Sequence, residues 1–124
     1  MKIRIYYEDT DAGGIVYHTN YIKYCERARS EIFFEKGLKP LDGEMSGFVI
    51  KNLSASFLGF AVLGDMLEVK TEVLKNKTAS VLLKQQIFKA DKKIFEMEVL
   101  LVFVRDGKPK PIPDILKKTF QDII

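Results

Sequence analysis

The 124-residue chain has a single cysteine, Cys25, and a single histidine, His18. A lone cysteine excludes an internal disulfide and makes a reducing compartment the simpler expectation. One histidine and one cysteine also cannot supply the usual nitrogen and sulfur ligands of zinc, so no metal site is expected. Long apolar runs are absent: the longest, Val99 to Val104, is strand-sized, far below the roughly 18 residues a membrane span needs. The start, Met1-Lys2-Ile3-Arg4-Ile5, has no apolar signal-peptide region. A cytoplasmic protein without a membrane span is expected. Charge of one sign is not in excess either. Twenty basic residues against 17 acidic ones leave +3, and Lys and Glu interleave along most of the chain. This is not the concentrated basic stripe of a nucleic-acid binder. Linkers, internal repeats and low-complexity segments are also missing, so residues 1–124 are expected to form one domain.

With 47% hydrophobic and 30% charged residues, the composition is that of an ordinary globular domain. Ile3, Ile5 and Tyr7 alternate with Arg4, Tyr6 and Glu8, which predicts a half-buried strand. Turn-prone residues follow from Glu8 to Gly14. Tyr21, Cys25, Ala28 and Ile32 then recur at helical spacing, with Tyr24 and Phe33 widening the stripe. Thr19 or Asn20 is the expected cap of this helix, and Gly37 its expected end. Arg27 and Glu31, four apart, are placed to pair. Leu67 to Val73 has a clear two-residue period. Phe48–Phe57, Ala79–Phe88 and Ile94–Val104 complete a set of four strands, with Lys89 to Lys93 as a hairpin turn. Asp106-Gly107 breaks the last strand, and Pro109, Pro111 and Pro113 stiffen the exit. Asp114 is placed to cap a short terminal helix carrying Ile115, Leu116, Phe120 and Ile123. The order is one strand, a long helix, four strands as a meander and a short helix. Strands and helices do not alternate, so an antiparallel sheet curled around one helix is expected, of class α+β.

Chemistry concentrates in residues 9–21, Asp-Thr-Asp-Ala-Gly-Gly-Ile-Val-Tyr-His-Thr-Asn-Tyr. Asp9 and Asp11 precede the start of a helix, whose free N–H groups carry partial positive charge. Gly13 and Gly14 let backbone approach a ligand. A carboxylate facing such a helix end suits acyl transfer: the acid is nucleophile or general base, and the helix end stabilises the oxyanion. The structural alternative is that aspartates beside glycines are turn formers. Asp9-x-Asp11 is not a calcium loop, because its twelfth position is Asn20 and a strand precedes it. Gly13-Gly14 lacks the remainder of a phosphate-binding or dinucleotide motif. Cys25 lies on the apolar stripe and reads as packing. His18 reads as a polar helix-start residue before a base.

The run Asp9-Thr-Asp11-Ala-Gly-Gly-Ile-Val-Tyr-His18-x-Asn20-Tyr21, followed by Glu26-Arg27-Ala28-Arg29-x-Glu31, resembles the YbgC-type branch of the 4-hydroxybenzoyl-CoA thioesterase family. Arg4 to Asp9, Phe48-Val49-Ile50 and Gly64 to Val69 are similar as well, so the likeness spans nearly the whole chain. The resemblance implies a hotdog fold, a homodimer or homotetramer with sites between subunits, and hydrolysis of acyl-CoA, with acyl-carrier protein as a further partner. It implies no metal and no organic cofactor. It puts the active carboxylate on Asp11 and the carbonyl-polarising backbone N–H on His18. Relatives specific for 4-hydroxybenzoyl groups carry tyrosine at that position, so His18 argues against the aromatic substrate. Tyr7, Gly14 and Asn20 are secondary candidates for loop anchoring or substrate contact. Two rivals remain: a hotdog dehydratase using His18 and Glu31, and a non-catalytic module that binds acyl-CoA or acyl-carrier protein. The loop lacks the prolines usual in the former, and Asp11 disfavours the latter.

Overall fold

A computed structural model describes residues 1–123. Strand β1 (Lys2–Arg4) is followed by a 3-10 turn (Tyr7–Asp9) and helix α1 (His18–Phe34). Strands β2 (Ser46–Phe57), β3 (Met66–Asn76), β4 (Ser80–Lys89) and β5 (Lys92–Arg105) follow. A two-residue strand, β6 (Lys108–Pro109), and helix α2 (Asp114–Gln121) complete the chain. One antiparallel sheet runs β1-β3-β4-β5-β2, with β6 on β5. It curls around α1, which is the hotdog arrangement.

The two-residue period places Val81, Leu83, Gln85 and Ile87 of β4, and Phe95, Met97, Val99, Leu101 and Phe103 of β5, on the inner face. Tyr21, Tyr24, Cys25, Ala28 and Phe33 of α1 are buried against that face. Register shifts at Lys51, Leu74 and Ile94 add twist, because an unpaired extra residue bends its strand. At Ile94 the freed carbonyl accepts from Leu58 and Gly59 N–H, at 2.9 and 3.1 Å.

Helix α1 ends in a reverse-turn cap. Gly37 N–H donates to Phe34 O and Leu38 N–H to Phe33 O, and Gly37 has φ +72°, so its role as helix stop holds. Several expectations are corrected. The four long strands do not form a meander: β2 crosses to pair with β5, and only β3-β4-β5 run consecutively. The first strand ends at Arg4, and Tyr7 lies in the 3-10 turn with its side chain 85% exposed. Carbonyl capture sets this limit: Ile5 N–H bonds Asp65 O, then the Asp9 carboxylate bends the chain by accepting from Tyr6 N–H. Helix α1 starts one residue before Thr19, with Tyr17 at its cap position and no side chain capping it. Asp106-Gly107 is a tight reversal, with φ +52° and +77°, after which β6 pairs back onto β5. Pro113, not Asp114, occupies the cap position of α2. Arg27 makes no ion pair with Glu31 among the described residues; its guanidinium lies 5.9 Å from the Tyr24 ring centroid.

The least expected burial is polar. Gln85, fully buried on β4, donates to Cys25 O of α1 at 2.9 Å and to Thr71 Oγ1 of β3 at 3.1 Å. Its Oε1 accepts from Arg29 Nη1 at 2.9 Å. Helix and sheet are therefore joined by directional bonds as well as by apolar contact. On the outer face Glu96 accepts from Gln86 Nε2 and Lys93 Nζ, with Lys84 Nζ at 3.4 Å.

The bonds from Gln86 and Lys93 hold the Glu96 carboxyl at about 2, below its ordinary 4.5. The unfolded chain therefore takes up that proton first as pH falls. The contribution is complete above about 4.5 and disappears as pH falls through about 2. Glu96→Gln is expected to lower the thermal midpoint at pH 7, with the gap to the parent closing toward pH 2; denaturation followed by circular dichroism across pH checks this.

Candidate active site

The 3-10 turn, the loop at 10–17 and the start of α1 form one hydrogen-bonded unit. Its centre is Asp9, which is buried. Asp9 Oδ2 accepts from Tyr6 N–H and Oδ1 from the Tyr24 hydroxyl, both at 2.8 Å. Asp9 O accepts from Asn20 Nδ2 at 2.8 Å and from Tyr17 N–H at 3.0 Å. Burial first, and then the bond to the Asp9 carboxylate, push the Tyr24 phenol well above its ordinary value. Tyr24 therefore stays protonated and donates throughout the physiological range.

Asp11 has the opposite environment. It is exposed, and Oδ1 accepts from Gly13 N–H at 2.8 Å. Its Oδ2 has no partner among the described residues. Around it the loop closes as a small hairpin: Asp11 N–H donates to Ile15 O, Gly14 N–H to Asp11 O, and Thr10 pairs with Val16. Gly14 at φ +86° turns this hairpin where a side chain would be strained. The hairpin is tied to the segment before β3 by the pairing of Ile15 with Val62 and by Val16 N–H on Ala61 O. Ala61 N–H in turn donates to the Tyr21 hydroxyl at 3.0 Å.

The start of α1 is uncapped. Asn20 N–H bonds Tyr17 O, whereas the N–H groups of His18 and Thr19 have no acceptor among the described residues. These are the positive ends of the first turn. The same short unit thus carries one carboxylate with an unused oxygen and one open helix terminus. The His18 ring rests against Tyr17 and Phe57, with centroids at 4.7 and 6.0 Å.

Asp11 and Gly14 are bonded within the hairpin, and His18 opens the helix that follows it. Asn20 is turned inward as a loop anchor. Tyr7 points outward, and its side chain makes no hydrogen bond among the described residues. Cys25 is wholly buried, and burial pushes its thiol up to about 12, far from a reactive thiolate. None of the five best-defined cavities, of about 230–440 Å³, touches Asp11 or His18. In the single chain this site is open, flanked by the exposed apolar residues Tyr17 and Phe57. The anchoring role of Tyr24 was not anticipated: its position on the helical stripe predicted burial, but not a hydroxyl reaching back 15 residues to Asp9. Among the described residues no group of three or more His, Cys, Asp or Glu side chains is arranged to hold a metal. No helix among them is long and apolar enough to cross a membrane.

Tyr24→Phe leaves Asp9 Oδ1 buried without its donor. A loss of about 1–3 kcal/mol in unfolding free energy is expected, measurable by urea denaturation.

Comparisons with known proteins bear on the chain as a whole. The family model of the thioesterase-like superfamily matches residues 6–120. The acyl-CoA thioesterase YbgC of Helicobacter pylori is 38% identical over an alignment covering 100% of this chain and 98% of the relative. The acyl-CoA thioester hydrolase YbgC of Escherichia coli is 39% identical over 88% of this chain and 84% of its own. Among solved structures, the gentisyl-coenzyme A thioesterase BH1999 superposes with a TM-score of 0.86 at 25% identity, covering 98% of each chain.

Proposed function

The chain belongs to the thioesterase-like superfamily, alongside the YbgC acyl-CoA thioesterases, and from that premise we propose that it hydrolyses acyl-CoA at Asp11. The observation that carries the assignment is a carboxylate with one unused oxygen in the hairpin that leads into an uncapped helix start. The thioester carbonyl lies between them. Its oxygen faces the His18 N–H, where a fixed donor stabilises the oxyanion without reorganisation. Asp11 acts on the carbonyl carbon by one of two routes. As nucleophile it forms a mixed anhydride while the C–S bond breaks and CoA leaves as thiolate; water then cleaves the anhydride and restores the carboxylate. As general base it takes a proton from water, and the resulting hydroxide adds to the carbonyl before CoA departs. Both routes yield a free acid and CoA without a metal or organic cofactor. An acyl-carrier protein thioester presents the same bond. Asp9, held by its own hydrogen bonds, supports the loop and takes no part in the chemistry.

The open site and the unpaired outer side of β2 support a homodimer. Strand β2 is 12 residues long and forms the end of the sheet. An edge of that length with exposed Val49, Ile50 and Phe57 pairs readily with another strand. Pairing two copies there brings apolar surface of the second copy toward the loop at 10–18 and supplies the missing wall of the substrate cleft. Sedimentation is expected to show a dimer or a dimer of dimers; a lone 14.2-kDa species at micromolar concentration would contradict it.

Thiol release from a panel of acyl-CoAs, followed with a thiol-reactive dye, tests the reaction. Asp11→Asn is expected to lose at least about 100-fold in kcat with the fold retained, and Cys25→Ser to remain active. Full activity in Asp11→Asn would refute the assignment; water loss from hydroxyacyl substrates would favour the dehydratase.

A further inference from the structure

The second half of α1 borders a cavity of about 440 Å³ that the proposed reaction does not use. Its volume falls within the roughly 300–1,000 Å³ usual for small-molecule sites. Its walls are largely apolar: Phe33 from α1, Phe48 and Ile50 from β2, Leu101 from β5 and Phe120 from α2. One strong cation lies among them. Arg29 is only 8% exposed and is one of the residues lining the cavity. Nη1 donates to Gln85 Oε1 at 2.9 Å, and no carboxylate forms an ion pair with it among the described residues. A guanidinium has five N–H donors in a planar fork, so the single bond to Gln85 leaves most of them unused.

A buried charge is costly unless paired, and a guanidinium without a carboxylate partner, on a residue that borders an apolar space, selects an anion with an apolar body. We propose that this cavity binds a monocarboxylic acid with an alkyl tail of medium length, its carboxylate on Arg29 and its tail among Phe33, Phe48 and Phe120. The site is separate from the Asp11 loop. Arg29 lies 11 residues beyond His18 on one helix, about 16 Å along the axis at 1.5 Å per residue. The assignment stands on the cavity and does not depend on turnover at Asp11, although such an acid is the product class of the proposed reaction.

Glu26 also lines the cavity. Its Oε1 accepts from Ser30 Oγ at 3.0 Å, and the carboxylate is exposed at the rim. It opposes the approach of an anion, which gives the proposal a variant that should bind more tightly. In the dimer proposed above, Val49 and Ile50 on the edge strand bring the second copy over the mouth of the cavity. A partner carboxylate seated on Arg29 is therefore the rival occupant.

Isothermal titration of the purified protein in its own assembly with octanoate, and with octan-1-ol as uncharged match, tests this. Octanoate is expected to bind at least about tenfold more tightly than octanol. Glu26→Gln should tighten octanoate binding severalfold, Ser30→Phe should block it by filling the mouth, and Arg29→Gln should erase the preference over octanol. Asp11→Asn should leave octanoate binding unchanged. Absence of octanoate binding, equal binding of octanol, weaker binding in Glu26→Gln or loss in Asp11→Asn would overturn the proposal. Because binding is read without turnover, an inactive protein that still binds octanoate would refute the hydrolase reading alone.

Discussion

Everything near the loop at 9–18 depends on how Asp9 is held. One buried carboxylate receives a phenol from the middle of α1 and a backbone N–H from the 3-10 turn, while the carbonyl of the same residue receives two N–H groups from the start of α1. Two turns of chain and a helix thus meet at a single residue. Each bond is charge-assisted or shielded from water, conditions that strengthen hydrogen bonds. The consequence is positional. With the loop fixed at Asp9 and closed by the Thr10–Val16 pairing, Asp11 has no freedom to fold back into the core, and its carboxylate stays at the surface.

The fold divides its two acids by role, and the division follows from burial. A carboxylate enclosed by donors is useful as a post; one held by a single glycine N–H keeps lone pairs for a substrate. The same contrast recurs along α1. Its N-terminal end is open and flanked by exposed aromatic side chains. Its C-terminal half closes over Phe33, Phe48, Phe103 and Phe120, whose rings meet at 5.2–6.1 Å, beside the buried Arg29. Gln85 ties the middle of the helix to the sheet, so both ends are positioned by one rigid element.

Much of this was legible in the sequence where a period was long. The strand at 67–73 was found because its inward residues alternate, and those at 79–88 and 94–104 because the turn-prone stretch Lys89 to Lys93 separates them. Helix α1 was found because Tyr21, Cys25 and Ala28 share a face. Pairing was less legible: nothing local in β2 states that it joins β5, since that choice depends on how the whole sheet closes around the helix. Short elements were misread for a related reason. Tyr7 continued the alternation of Ile3 and Ile5, but the Asp9 side chain captures Tyr6 N–H and bends the chain first. The expected caps of both helices failed because Asn20 is drawn to Asp9 O and Pro113 precedes Asp114. The placing of Asp11 in a loop before the start of α1 was legible in the sequence; the burial of Arg29 was not, because its partner lies 56 positions away in Gln85.

The most direct measurement is a crystal structure with a 2-oxoalkyl thioether of CoA, whose ketone stands in for the thioester carbonyl and, set off from sulfur by a methylene, cannot be cleaved. The account predicts the analogue's carbonyl oxygen within about 3 Å of the His18 backbone nitrogen, and its carbonyl carbon about 3–3.5 Å from an Asp11 oxygen or from a water held by it. An analogue bound elsewhere, with Asp11 facing bulk solvent in every copy, would contradict it.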